Sequence, residues 1–317
     1  NAIVIAGLRV EDTSFTTVGY NDGDPNDIIN GSKDYTFVSP SLNVKYFVDD
    51  NTIVRGAVWR ALSRPGFGES APVADIALES DGTYEGEMGN PDLEPYEATN
   101  LDISVERYSD NGAVSLGFFR KDIDNAIYPQ LTQGVVAGYN FSELLTFVNS
   151  DKSTVEGIEF NLFREFDDLP EPFDGLFISV NLTKVDAESD IPSDNGVFTV
   201  PFRKLADNTS NISIGYDKGK LDMRLSLAQR SDYLDYLADD DIETTVEDLN
   251  YDNIRFTDDH SQIDFTAKYY LNDNLTLKFD LININDEPEF YYWGNTSRLS
   301  QYDEYGTSAT IGFTYTY

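Results

Sequence analysis

Ser308-Ala309-Thr310-Ile311-Gly312-Phe313-Thr314-Tyr315-Thr316-Tyr317 ends the chain, and its alternation decides the fold. Ala309, Ile311, Phe313, Tyr315 and Tyr317 are apolar or aromatic, while the residues between them are small or hydroxylated. Successive side chains of a strand point to opposite faces, so the stretch predicts a strand with one apolar and one polar face. The segment before it repeats the pattern: Leu275, Leu277, Phe279 and Leu281 alternate with Thr276, Lys278 and Asp280. One segment earlier, Ile263, Phe265, Ala267, Tyr269 and Leu271 do the same. Working outward, period-two runs recur at 221–227, 212–216, 176–182, 114–118, 101–105 and 42–48, with less regular ones near 2–13, 52–63 and 153–165. That makes about a dozen strands, each near the ~9–11 residues that a tilted membrane-spanning strand needs.

The connections sort by length. Asp49-Asp50-Asn51, Ser109-Asp110-Asn111-Gly112, Asp217-Lys218-Gly219 and Asn272-Asp273-Asn274 are tight turn-formers, and Asp167-Asp168-Leu169-Pro170-Glu171-Pro172 occupies a further short slot. Between them lie long polar connections near 14–34, 64–96, 125–152, 188–207, 232–260 and 285–306. Short and long alternate throughout. An up-and-down antiparallel meander with tight turns at one end and long loops at the other is the pattern of an outer-membrane β-barrel. The expected fold is therefore all-β, with Leu277, Phe279, Phe313 and Tyr315 toward lipid and Lys278, Asp280, Thr314 and Thr316 toward the lumen. The alternative is a soluble acidic β-sandwich of the adhesion or binding type. Greek-key connections in a sandwich would not sort loop lengths so regularly, and no internal repeat of fixed period is present.

Composition narrows the function. The 317 residues carry a formal net charge of -35, which repels a phosphate backbone and excludes nucleic acid as a partner. There is no cysteine and one histidine, His260, so disulfides, thiolate zinc sites and paired-histidine metal motifs are out. No run reaches the roughly 18 apolar residues of a spanning helix, which leaves barrel strands untouched because each carries only a weak hydropathy signal. Tyr and Phe number 20 each, an abundance suited to the aromatic girdles of a barrel. No nucleophile elbow or glycine-rich phosphate loop follows a strand, so no enzyme and no cofactor are expected.

Several segments resemble the TonB-dependent receptors of the outer membrane. Gly89-Asn90-Pro91-Asp92-Leu93-Glu94-Pro95 resembles the family's GNP-x-L-x-P segment, and Leu101-Asp102-Ile103-Ser104-Val105-Glu106-Arg107-Tyr108 is similar to the D-x-S-x-E-x-Y strand that follows it. Arg60-Ala61-Leu62-Ser63-Arg64-Pro65-Gly66-Phe67 resembles R-x-x-S-R-P-x-F. Phe118-Phe119-Arg120-Lys121-Asp122-Ile123, Glu156-Gly157-Ile158-Glu159 and Asn283-Ile284-Asn285-Asp286 resemble further family segments, and Tyr317 matches the terminal aromatic of the barrel-assembly signal. The mix looks most like the proteobacterial carbohydrate-uptake branch. The resemblance implies that residues 1–317 form the C-terminal portion of a barrel of about 22 strands, with the plug domain and N-terminal strands outside this chain. It implies outer-membrane uptake of a nutrient, expected to be an oligosaccharide. The partners implied are TonB and the inner-membrane energising complex acting through the plug, the lipid bilayer and lipopolysaccharide. The alternative ligand is a siderophore or other metal chelate, against which the negative charge weighs because it opposes entry of an anion.

The expected ligand residues are aromatics of the last two long connections: Tyr233 and Tyr236, and Tyr291, Tyr292 and Trp293 within Phe290-Tyr291-Tyr292-Trp293-Gly294-Asn295. Their rings suit the apolar C–H faces of a sugar, and neighbouring Asn and Asp suit its hydroxyls. An outer girdle at the membrane edge is the other reading. Arg64 joins the candidates because Arg55, Arg60 and Arg64 rise along one strand toward the loops, to line the lumen or to pair with wall carboxylates. No metal site is expected: Asp239-Asp240-Asp241 with Glu243, Glu247 and Asp248, and the stretch Asp22-Gly23-Asp24, read as solvated acidic faces without EF-hand spacing.

Overall fold

The computed structural model describes residues 1–20, 28–72, 74–136, 138–193, 196–237, 252 and 254–317. Its strands are, in chain order, Ala2–Tyr20 (β1), Ile28–Phe47 (β2), Thr52–Ser63 (β3), Ala74–Leu78 (β4), Tyr84–Met88 (β5), Tyr96–Ser109 (β6) and Gly112–Asp124 (β7). Then come Ile127–Val136 (β8), Tyr139–Asn149 (β9), Lys152–Glu165 (β10), Leu176–Ser193 (β11), Gly196–Pro201 (β12), Asn208–Lys218 (β13) and Leu221–Arg230 (β14). Tyr233–Tyr236 (β15), Arg255–Thr257 (β16), His260–Asn272 (β17), Leu275–Ile282 (β18), Glu289–Trp293 (β19), Leu299–Asp303 (β20) and Ser308–Tyr315 (β21) complete them. Among the described residues one short helix, Phe67–Ser70 (α1), lies between β3 and β4.

Twelve strands form an antiparallel wall in the order β1-β2-β3-β6-β7-β10-β11-β13-β14-β17-β18-β21, with β12 paired to β11 off that path. Apart from the excursions into loop strands, each wall strand pairs with the next one along the chain, as an up-and-down meander requires. Tight turns close one end. Asn51 N–H donates to Asp49 Oδ1 at 2.8 Å and Asn274 N–H to Asn272 Oδ1 at 3.0 Å, the side-chain turns that Asp and Asn favour. Gly219, with φ 63, takes the left-handed position of the β13–β14 turn.

Register fixes the faces. Ile178, Ile214, Leu225, Phe265, Leu281 and Ala309 stand in one cross-strand row, and Val44, Gly56, Ile103, Phe118 and Ile158 in another. The next positions put Ser179, Ser213, Ser226 and Asp264 on the opposite face. Leu225 is 48% and Phe313 74% exposed, so this apolar face has no protein cover. A surface of that extent needs lipid against it. The polar face is tied by ion pairs such as Arg55–Glu106 at 2.7 Å and Lys268–Asp222 at 2.8 Å.

The buried core sits in the long connections. Two small sheets are built there, β4-β5-β9-β8, in which β5 and β9 run parallel, and β15-β16-β19-β20. Leu234, Ile254, Leu237, Val200 and Tyr128 are each at most 2% exposed and belong to one cluster drawn from four different connections. The connections expected as polar loops are thus partly strand. The reason is that runs as short as Arg255-Phe256-Thr257 carry too few alternations to announce themselves. β1 and β2 also continue to Tyr20 and from Ile28, into the stretch expected as loop near 14–34.

The segment Gly89–Pro95 clamps these connections together. Asn90 Nδ2 donates to the Phe147 carbonyl at 2.8 Å, Lys33 pairs with Glu94 at 2.6 Å and donates to the Asp92 carbonyl, and Leu93 is 1% exposed. A Cβ on Gly89 would lie 2.2 Å from the Ala71 carbonyl oxygen, so only glycine fits. Asn283 has a comparable role at the top of β18. With φ 57 and nearly full burial, it donates to the Glu287 carbonyl and accepts from Glu287 N–H.

Candidate functional site

The two aromatic stretches singled out from the sequence meet in one sheet. Tyr233 lies opposite Thr257, Leu234 opposite Phe256 and Tyr236 opposite Arg255; across β16, Arg255 faces Trp293, Phe256 faces Tyr292 and Thr257 faces Tyr291. Alternation then divides the sheet. Leu234, Phe256 and Tyr292 turn into the loop core, at 0%, 9% and 6% exposure. The Phe256 and Tyr292 rings stack with centroids 5.5 Å apart, and Tyr292 Oη donates to Asp232 Oδ2 at 2.9 Å. Burial, then the Asp232 carboxylate, pushes the Tyr292 phenol far above its usual range. Tyr292 is therefore a core residue whose ring offers no face to a ligand, a correction of its expected role.

The other side of the sheet is aromatic and cationic. The Tyr236 ring has the Arg203 guanidinium 4.9 Å, the Arg255 guanidinium 5.1 Å and the Lys204 ammonium 5.5 Å from its centroid. Arg255 also lies 5.0 Å from the Tyr291 ring, and Arg230 lies 5.0 Å from that of Tyr233. Ring quadrupoles attract cations held over them, which fixes both partners. Asp235, nearly buried, takes two bonds from Arg255 at 2.6 and 2.9 Å, and its carbonyl accepts from Arg203 Nε at 2.8 Å. Tyr291 Oη donates to Glu289 at 3.0 Å, and burial followed by that carboxylate leaves its phenol pushed up to about 12. Trp293 is half-buried in the same sheet.

Arg203 and Lys204 come from the connection between β12 and β13. Phe202 and Leu205 pack onto Val155, Val185 and Ala187, polar-face positions of β10 and β11 at the loop end of the wall. Lys204 takes φ 57, and its N–H donates to the Leu234 carbonyl at 2.8 Å. No sequence pattern predicted that this dipeptide meets Tyr236. Arg255 was legible only as part of a strand too short to recognise.

Arg64 is not part of this cluster. It bonds Glu11 Oε2 and Thr13 Oγ1 on β1, both at 2.9 Å, while β3 and β14 are separated by five strands in the wall. Nor do Arg55, Arg60 and Arg64 line one face. Arg55 stands opposite Ser104 on the polar face, and Arg60, five residues on, stands opposite Thr99 in register with the apolar face. An odd spacing reverses the face of a strand. All three pair with carboxylates: Glu106, Glu97 and Glu11. The acidic stretches at 239–248 and 22–24 lie outside the described residues, among which no group of acidic or histidine side chains could hold a metal ion.

A family model described as TonB dependent receptor-like, beta-barrel matches residues 1–284. The chain belongs to this family. The wall is accordingly an outer-membrane one, its apolar face toward lipid. Among solved structures, a mutant of the ferric enterobactin receptor PfeA of Pseudomonas aeruginosa is 18% identical, with 99% of this chain and 45% of that one covered and a TM-score of 0.63. The siderophore receptor PirA of Pseudomonas aeruginosa is 17% identical, with 99% and 48% covered and a TM-score of 0.57. The siderophore receptor PiuA of Acinetobacter baumannii is 15% identical, with 99% and 40% covered and a TM-score of 0.65. At these identities the likeness is one of fold. The chain spans less than half the length of these receptors, and no curated protein matches it. The carbohydrate branch expected from the motifs finds no support in these comparisons.

Proposed function

We propose that this chain forms part of the wall and outer mouth of a TonB-dependent receptor that takes up a siderophore-type metal chelate, the alternative ligand of the sequence reading. Uptake would be energised through TonB and the inner-membrane complex, acting on a plug. One observation carries the choice of ligand. Four of the five aromatic faces that were to stack on a sugar are already taken: Tyr292 is buried, Tyr236 lies among three cations, and Tyr233 and Tyr291 each sit beside a guanidinium, which leaves the half-buried Trp293 alone. What the site offers is donated hydrogen bonds and positive charge, the chemistry that binds the oxygen donors of a chelate. The siderophore receptors among the structural neighbours support the same reading.

Quenching of intrinsic fluorescence in the full-length receptor, titrated with ferric chelates and with neutral oligosaccharides, tests it. Saturable binding of a ferric chelate without response to the sugars is expected. Saturation by an oligosaccharide and by no chelate would overturn it.

A further inference from the structure

The loop sheet β15-β16-β19-β20 meets the wall at two joints of different chemistry. At the first, the β18–β21 pairing ends at Ile282 opposite Ser308, and the β19–β20 pairing begins at Glu289 opposite Asp303. Asn283 closes this interval with its neutral amide and backbone. Its Nδ2 donates to the Glu287 carbonyl at 2.9 Å, its Oδ1 accepts from Glu287 N–H at 2.8 Å, and its carbonyl accepts from Thr307 Oγ1 at 2.8 Å.

At the second joint the β14–β17 pairing ends at Arg230 opposite His260, and the β15–β16 pairing begins at Tyr233 opposite Thr257. Ser231 and Asp232 fill the break on one strand, Asp258 and Asp259 on the other, so three of its four residues are acidic. Asp258 is half-buried between the exposed Asp232 and Asp259. The cation at the joint does not neutralise them: Arg230 Nη1 donates to the Asp258 carbonyl at 2.6 Å, with its guanidinium over the Tyr233 ring. Asp232 accepts the Tyr292 hydroxyl, Glu287 accepts Ser261 N–H at 3.1 Å, and the buried His260 Nδ1 has no partner. Asp207, which precedes β13, has its carboxyl raised by burial and then by Asp232 and Asp186, with Lys184 opposing.

A sheet opens at least cost where its ladder is already interrupted. Across this break the Asp258 N–H bond to the Phe290 carbonyl, 2.8 Å long, holds the loop sheet, while the ionised carboxylates push its two strands apart. A proton removes that repulsion and turns an acceptor into a donor for its neighbours. We propose that the Asp232–Asp258–Asp259 joint is a proton-operated latch, which holds the loop sheet to the wall in acid and lets it swing about the Asn283 joint as the carboxyls ionise. Because Asp207 and Asp258 have raised folded values, their contribution is present below 3.8 and is lost as pH rises through those values. The latch acts on the position of the mouth whichever ligand the mouth takes.

Hydrogen exchange of the full-length receptor in lipid vesicles tests it, corrected for intrinsic rates, from about pH 7.5 to about pH 4.5. The native protein is compared with Asp258→Asn, with the double variant Asp258→Asn/Asp259→Asn, and with His260→Gln. Native protection of residues 231–236 and 255–258 should rise about threefold in acid, while β17 and the Asn283 joint stay constant. The double variant should have the acid level of protection at every pH, Asp258→Asn should lie between, and His260→Gln should respond as the native protein does. Asparagine is nearly isosteric with aspartate, and the constant β17 amides report that the wall is folded. A native protein without the acid response, an undiminished response in the double variant, or a response abolished by His260→Gln would overturn the latch.

Discussion

Leu225 and Ser226 are neighbours on β14 that the register sends to opposite faces, and exchanging each for arginine measures the assignment of faces. Leu225 stands mid-strand in the apolar row between Ile214 and Phe265, and it is 48% exposed with no protein over it. Leu225→Arg therefore breaks little packing, and nearly the whole effect is the cost of a guanidinium in hydrocarbon, roughly 2–4 kcal/mol at mid-depth. At about 1.4 kcal/mol per decade this shifts the folding equilibrium roughly 30- to 700-fold. Ser226 faces Ser213, its hydroxyl oxygen 2.9 Å from that of Ser213, and its other neighbour is Asp264. An arginine there has water and a carboxylate to meet, so Ser226→Arg should cost about 1 kcal/mol or less. Reversible urea unfolding of the full-length receptor in lipid vesicles, followed by fluorescence, gives both values. Equal costs at the two positions would refute the assignment.

Leu93→Ala should destabilise the connections by about 2–5 kcal/mol, because Leu93 is 1% exposed within the clamp; faster proteolysis of the loops with intact wall strands is the expected readout. Asn283→Ala should cost about 3 kcal/mol, from an alanine held at φ 57 and the lost exchange of bonds with Glu287, measured as a lowered melting temperature. Asp258, beside the loop sheet, has its carboxyl raised above the ordinary 3.8 by burial and by Asp259 and Asp232. A raised folded value means its contribution to stability is present below 3.8 and is lost as pH rises through the folded value. Asp258→Asn should then stabilise the neutral-pH protein slightly and flatten that part of the stability–pH curve.

The wall was legible because a half-covered sheet enforces a period of two. Leu275–Leu281 and Ala309–Tyr317 could be assigned to faces residue by residue, and Leu277 does stand opposite Phe313 on the apolar face. The alternation of turn and loop lengths was equally readable, since Asp, Asn and Gly mark tight turns by their own backbone chemistry. The interior of the connections was not. β16 is three residues long, and its place between β15 and β19 is set by burial of Phe256 against Leu234 and Tyr292, contacts between segments dozens of residues apart. For the same reason the aromatics of the site could be picked out while the cations that define its chemistry could not. Arg203 and Lys204 owe their position to Phe202 and Leu205 packing on the wall, which no local pattern encodes. Tyr292 and Tyr291 are adjacent and chemically alike, yet alternation in β19 buries one and leaves the other half-buried.

All of this requires that the loop sheet face the outside of the cell and the tight turns the periplasm. Single cysteines at Asp50, Asn111 and Asp273 in the tight turns, and at Tyr84, Tyr302 and Tyr305 in the long connections, report it directly in a receptor whose other cysteines are replaced, these 317 residues having none. Tyr302 and Tyr305 are 51% and 70% exposed, so a label reaches them without disturbing the core. With a membrane-impermeant maleimide on intact cells expressing the full-length receptor, the Tyr84, Tyr302 and Tyr305 positions should label, and the other three only after the outer membrane is opened. Equal labelling of the two sets on intact cells would contradict the outer-membrane wall and, with it, the mouth on which the uptake reading stands.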